Sequence, residues 1–145
     1  MLLVTLTTLL LIALTTLMHH EVIRWLSNPS ALTLRGGTRL KLLLVVAATL
    51  LSHVAQIALY GLAMYLLVNH GNAGRLEGPD GPALSSCMFF SAESYTSLGF
   101  GDIKPTGPIR LITSVEALNG LVMIGWTACY LYVAAERFWA AERQS

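Results

Sequence analysis

Thr96-Ser97-Leu98-Gly99-Phe100-Gly101-Asp102 is the stretch on which the reading of this chain turns. It sets glycines, hydroxyl side chains and a carboxylate between segments that are otherwise apolar. Irregular backbone at membrane depth is tolerated only where it is buried in protein or lines a watery cavity. Gly99 and Gly101 can adopt the positive φ that other residues avoid, which predicts a strand-like turn with its carbonyls facing one way. Carbonyls aimed at one axis make a cation site.

The surroundings are those of a multi-pass membrane protein. Across 145 residues the hydrophobic share is 54% and the mean hydropathy +0.63, more apolar surface than one small water-soluble core can bury. The charged share of 12% is low, and a net charge of +1 argues against nucleic acid or acidic partners. Cys87 and Cys129 fall in separate apolar segments, expected near opposite membrane faces. They are too far apart to bridge and read as small core residues.

Met1 to Met18 is apolar apart from threonines, and at about 1.5 Å per residue it just reaches across the hydrocarbon core. It lacks the charged start and small-residue cleavage site of a secretory signal, so a retained first span is expected. Its helix is expected to run on through His19, His20, Glu21, Arg24 and Trp25 as an interfacial collar until Asn28-Pro29 stops it. His19 and His20 then read as a solvated collar or a reporter of cytoplasmic pH. Leu40 to Val68 predicts a second span, long enough to tilt or protrude. Ser52, His53 and Gln56 form a polar stripe on it that should face other helices. A buried neutral His53, bonded to Gln56 or to a neighbouring helix, is expected.

Asn69 to Gly81 is a polar, turn-rich loop. Pro82 suits a helix start, and Ala83 to Thr96 reads as a helix too short to span, which must enter the membrane and stop. Its C-terminal end carries the partial negative charge of the macrodipole and favours a cation. Pro105, Gly107 and Pro108 return the chain to the surface, and Leu111 to Ala134 predicts a third span. The remaining residues read as an amphipathic tail, which leaves no room for a ligand-binding cytoplasmic domain. Arg24, Arg35, Arg39, Lys41, Arg137 and Arg143 outnumber Arg75, Lys104 and Arg110 across the membrane. The tail is therefore expected to be cytoplasmic, with the N-terminus and the mouth of the 97–102 stretch outside. The division expected is an additional N-terminal helix at 1–27, a cytoplasmic loop at 28–39, a pore unit at 40–134 and a short tail at 135–145.

From Pro82 to Ala134 the chain resembles the potassium-channel family, whose filter signature is TVGYG or TVGFG followed by Asp. Phe89 to Asp102 runs without a gap alongside the pore helix and filter of simple two-helix bacterial members. The resemblance implies an all-α membrane protein with three transmembrane helices, one re-entrant pore helix and a filter loop, assembled as a homotetramer around one axis. It implies K+ coordination by backbone oxygens of Ser97, Leu98, Gly99, Phe100 and Gly101, with the Ser97 hydroxyl at the inner end. Glu93, Thr96 and Asp102 support the filter, Glu93 and Asp102 as a carboxyl pair behind it. Gly120 matches the hinge glycine of the third span and Gly125 a second small position, with bending and tight packing both open. Leu121, Ile124, Ala128 and Tyr132 would face the cavity and lower gate. Ser97 in place of Thr and Leu98 in place of Val point to a looser filter.

The function expected is passive K+ conduction across a bacterial inner membrane, with no cofactor beyond the permeant ion. A weakly selective cation pore and a non-conducting regulatory subunit are the alternatives. The first span lacks the arginine ladder of a voltage sensor. No spaced metal-ligand set and no nucleophile with a base suggests an enzyme. Glu116, one turn before Gly120 and beside Asn119, reads as a buried acid level with the pore helix. Trp25, Tyr130, Tyr132, Phe138 and Trp139 read as interfacial anchors.

Overall fold

The computed structural model describes residues 1–28 and 37–143. It contains α1 (Leu2–Ser27), α2 (Thr38–Asn69), β1 (Arg75–Glu77), α3 (Leu84–Tyr95), β2 (Lys104–Thr106), a 3-10 turn (Gly107–Ile109) and α4 (Arg110–Glu142). Most of the expected 28–39 loop, with Arg35, and the end of the tail at Gln144 and Ser145 lie outside the described residues. Among the described residues, α1, α2 and the run from Gly107 through α4 are long and apolar enough to cross a membrane.

Each long helix buries one narrow stripe. On α1 it is Val4, Thr8, Leu11, Thr15, His19 and Leu26, at the spacing of a single helix face. Leu3, Leu6, Leu9, Leu10, Leu14 and Leu17 cover the opposite face and are exposed, as a lipid-facing surface requires. Thr8 and Thr15 donate to the carbonyls of Val4 and Leu11, both at 2.7 Å, so their hydroxyls cost nothing in a medium without water. Asn28 ends α1 with extended backbone, φ −75° and ψ 123°, the conformation forced on a residue before proline.

Val4 and Leu11 share an apolar cluster with Tyr60, Met64, Ile109 and Ile112, while Leu26 joins Val45 and Ala134 at the other end. Helix α1 therefore runs parallel to α4 and antiparallel to α2, packed on both. Helix α3 also packs on both α2 and α4. Its approach to α2 depends on Gly61, where a Cβ would lie 2.8 Å from Met88 Sδ and 3.1 Å from its Cα.

Two features depart from the sequence reading. First, the segments flanking α3 pair as an antiparallel ribbon, with Arg75 opposite Thr106, Leu76 opposite Pro105 and Glu77 opposite Lys104. The ribbon is short and edge-like enough to admit Pro105, and opposite charges on Glu77 and Lys104 face each other across it. Gly74, at φ +117°, makes room for it, since a Cβ there would sit 2.0 Å from the Thr106 carbonyl oxygen. The Ile109 N–H donates to the Ala73 carbonyl at 2.8 Å and ties the same two segments again. The loop carrying α3 and residues 97–102 is thus closed at its base.

Second, α4 does not stop at Ala134 but continues to Glu142. Ala135 to Glu142 contains no glycine or proline and holds three alanines, two glutamates and an arginine, so nothing in it breaks a helix already nucleated.

Candidate functional site

Helix α3 has twelve residues, about 18 Å at 1.5 Å per residue, too short for a core of about 30 Å. It ends in a Schellman motif. Thr96 is the C-cap, Leu98 N–H donates to the Glu93 carbonyl at 2.9 Å, and Ser97 N–H donates to the Ser94 carbonyl at 3.1 Å. Ser97 occupies the left-handed position of that motif, with φ +57°. A β-branched residue is a strong outlier there, which gives a conformational reason for serine where the resembled signature has threonine. The Thr96 hydroxyl turns back to the Ala92 carbonyl at 2.7 Å.

Beyond Ser97 the backbone alternates in hand. Positive φ recurs at Ser97 (+57°), Gly99 (+58°) and Gly101 (+84°), with Leu98 and Phe100 between them outside that region. In an extended chain of uniform hand successive carbonyls point to opposite sides; reversing every second residue turns them towards one side. Leu98 and Phe100 are largely exposed in the single chain, as is Phe89.

Glu93 and Asp102 both line a cavity of about 300 Å³ between α3, the 78–81 turn and Phe100. No hydrogen bond joins their two carboxyl groups; the Ile103 N–H donates to Asp102 Oδ1 at 3.1 Å. Burial first, and the Asp102 carboxylate second, push the Glu93 carboxyl above the usual range, opposed by a backbone hydrogen bond from Phe100. Phe90 is buried and Phe89 exposed, and neither offers a donor to the pair.

Gly120 faces the C-terminal end of α3. A Cβ on it would lie 2.1 Å from the Tyr95 carbonyl oxygen, so α4 and α3 meet backbone to backbone at this point. Gly125 has nothing within 4 Å of the corresponding position. Leu121, Ile124, Ala128 and Tyr132 recur on one exposed face of α4, and the Tyr132 hydroxyl donates to Glu136 Oε1 at 3.1 Å. Cys87 is buried and Cys129 exposed, both as free thiols, so only Cys87 is a core residue of the single chain.

The polar residues inside the bundle form two groups. Glu116 is fully buried, and its Oε1 lies 2.5 Å from Ser91 Oγ, which also contacts the Ile57 carbonyl at 2.7 Å. Oε2 has no hydrogen-bond partner among the described residues. Ser91 has one hydroxyl proton, and if Ile57 takes it, the 2.5 Å contact is closed by a proton on the carboxyl. Glu116→Gln is then expected to stay within about 1 kcal/mol of the parent, because its amide donates to Ser91 in the same place. Glu116→Ala is expected to lose about 2 kcal/mol or more by leaving a cavity and removing the donor to Ser91 Oγ. Thermal unfolding in detergent checks this, and equal damage from both substitutions would rule out a donor at the Glu116 Oε1 position.

The second group corrects the expected collar. His19 is completely buried at mid-bundle, not solvated at an interface, because the stripe on α1 that begins at Val4 carries it between α2 and α4. His20, next to it, is exposed. Gln56 Nε2 donates to His19 Nδ1 (3.1 Å) and Ser52 Oγ (3.2 Å), and Gln56 Oε1 accepts from the Tyr95 hydroxyl (2.8 Å). His53 meets the Tyr95 hydroxyl through Nδ1 (2.8 Å) and Thr127 Oγ1 through Nε2 (2.9 Å), and Thr127 meets His19 Nε2 (3.2 Å). His53 is therefore bonded to neighbouring helices and not to Gln56. Asn119 Nδ2 donates to Thr15 Oγ1 at 2.9 Å and to the Tyr60 hydroxyl at 3.3 Å. Sequence reasoning singled out His53, Gln56 and Asn119 but missed their partners Tyr95, Thr127, Tyr60 and Thr15. The available signal was the common helix face of Thr8, Thr15 and His19.

Three apolar helices of spanning length, with a short fourth helix ending in a turn of alternating hand, define a helical multi-pass membrane protein. An ion-channel family model matches residues 42–137, most of the chain, and the protein belongs to that family. It is not an enzyme family. The match leaves α1 outside and takes in α3, residues 97–102 and nearly all of α2 and α4. No curated protein and no solved structure matches the chain.

Proposed function

We propose that this protein conducts K+ passively as a homotetramer, with α3 as a re-entrant pore helix and backbone oxygens of Ser97, Leu98, Gly99, Phe100 and Gly101 lining the ion path. The observation that carries the reading is the alternation of φ at Ser97, Gly99 and Gly101, a backbone able to turn successive carbonyls to one axis. One such strand cannot surround an ion. The exposed apolar residues Phe89, Leu98, Phe100, Leu118 and Leu121 give partner copies a surface to cover. Glu93 and Asp102, in their shared cavity, brace the filter from behind, and Leu121, Ile124, Ala128 and Tyr132 line the cavity below it. No resident cofactor is needed for this path. The excess of Lys and Arg at the α1–α2 connection and on the α4 end supports a cytoplasmic side for those ends, with the N-terminus and filter mouth outside.

Purified protein in liposomes, with K+ on one side and Na+ on the other, tests the reading. The expected result is a reversal potential close to that of K+. A reversal potential near zero favours a weakly selective cation pore, in keeping with Ser97 and Leu98, and absence of flux across voltage and pH favours a non-conducting subunit.

A further inference from the structure

We propose that His19, on the helix that precedes the family-matched segment, is a positioning residue for the ion path, acting through a closed hydrogen-bond ring that ends on Tyr95. The inference rests on the conduction reading above. Tyr95 is the last residue of α3, directly before the Schellman turn that sets Thr96, Ser97 and Leu98, and its carbonyl is wedged against Gly120. Whatever fixes the Tyr95 side chain fixes the start of the 97–102 stretch.

The direction of the ring follows from counting protons. Gln56 donates to His19 Nδ1 and accepts the Tyr95 proton. With its own proton spent, Tyr95 needs one from His53 Nδ1 to close their 2.8 Å contact. His53 Nε2 is then an acceptor for the Thr127 hydroxyl, and Thr127 accepts in turn from His19 Nε2. Within the ring each of the side chains donates once and accepts once. Both imidazoles are neutral and hold opposite tautomers. Turning the Gln56 amide over reverses every bond and exchanges the tautomers, but still leaves them opposite.

A closed chain in one sense is stiffer than its separate pairs, because each bond polarises the next. It also spans all four helices: His19 on α1, His53 and Gln56 on α2, Tyr95 on α3 and Thr127 on α4. The rest of the α1 stripe does not do this. Its buried Thr8 bonds only to its own helix, Val4, Leu11 and Leu26 make apolar contacts, and Thr15 accepts from Asn119 on α4, which meets Tyr60 on α2 but no residue of α3. Helix α1 thus reaches Tyr95 through His19, by way of Gln56 on one side and Thr127 with His53 on the other.

The test uses the full-length protein in liposomes with opposed K+ and Na+ gradients. His19→Leu, Thr127→Val and Tyr95→Phe each open the ring, and each is expected to change the K+ over Na+ permeability ratio in the same direction, by between about twofold and tenfold, the range one lost hydrogen bond allows. The Thr127→Val/Tyr95→Phe double variant should match the single ones, since an opened ring cannot be opened again. Thr8→Val should leave the ratio unchanged. A conducting protein whose ratio is unmoved by the ring variants, or moved additively by the double, overturns the inference and leaves the channel reading standing; a wild-type protein that passes no ions sinks the channel reading first. Independently of flux, nitrogen-15 NMR of protein carrying His20→Gln and His70→Gln should report one δ and one ε tautomer. Two like tautomers, or an imidazolium at neutral pH, would overturn the ring itself.

Discussion

Gly120→Ala is expected to lower the stability of the folded chain by about 2 kcal/mol or more and to abolish conduction, while Gly125→Ala is expected to do neither. The difference lies in what each Cβ would meet. At Gly120 it would fall 2.1 Å from the Tyr95 carbonyl oxygen and 2.9 Å from its carbon, both backbone atoms that no rotamer change can move aside. Either α4 backs away from α3 or the end of α3 is displaced, and the second choice carries residues 97–102 with it. At Gly125 nothing lies within 4 Å, and an alanine there gains up to about 1 kcal/mol of helix propensity. Thermal unfolding in detergent and ion flux in liposomes read both variants. A Gly120→Ala protein with the parent's melting temperature but altered opening would show that Gly120 is a hinge and not a packing site.

Gly99→Ala is expected to separate folding from function. The position is open, with nothing within 4 Å of a Cβ, so no clash arises; the constraint is its φ of +58°. An L-residue in that left-handed region costs roughly 1–2 kcal/mol, and the stretch can relieve the cost by flipping the backbone out of its alternation. Melting temperature should then change little, while K+ flux falls more than tenfold. Unchanged flux and selectivity in Gly99→Ala would mean that the alternation at Ser97, Gly99 and Gly101 does not shape the ion path. The two glycines thus fail in different ways, one for lack of space and the other for lack of conformational freedom.

Much of the architecture is legible along the chain because lipid imposes simple rules. Leu40 to Val68 announces a span by length and composition, and α2 runs from Thr38 to Asn69. Ala83 to Thr96 is too short to cross, and α3 occupies Leu84 to Tyr95 with Ala83 as N-cap and Thr96 as C-cap. Gly99 and Gly101 invite positive φ by lacking a Cβ, and both adopt it. What composition and spacing do not announce is pairing at a distance. The Arg75–Glu77 ribbon with Lys104–Thr106 joins segments too short and too polar to show a strand pattern, and it forms because Gly74 lets the two backbones approach.

His19 shows the same limit most sharply. Beside His20, Glu21 and Arg24 it reads as the edge of an interfacial collar, and only the packing of α1 against α2 and α4 reveals that its face of the helix is buried while that of His20 is not. The sequence by itself determined that this is a membrane protein with three spans, a short helix and a glycine-rich turn, because apolar length and backbone freedom are local properties. Only the tertiary structure decided that Gly120 meets the Tyr95 backbone, that Glu116 meets Ser91, and that His19, Gln56, Tyr95, His53 and Thr127 close into one ring. Buried polar groups are driven to find partners wherever the fold brings them, and those partners lie on other helices, far away in the chain.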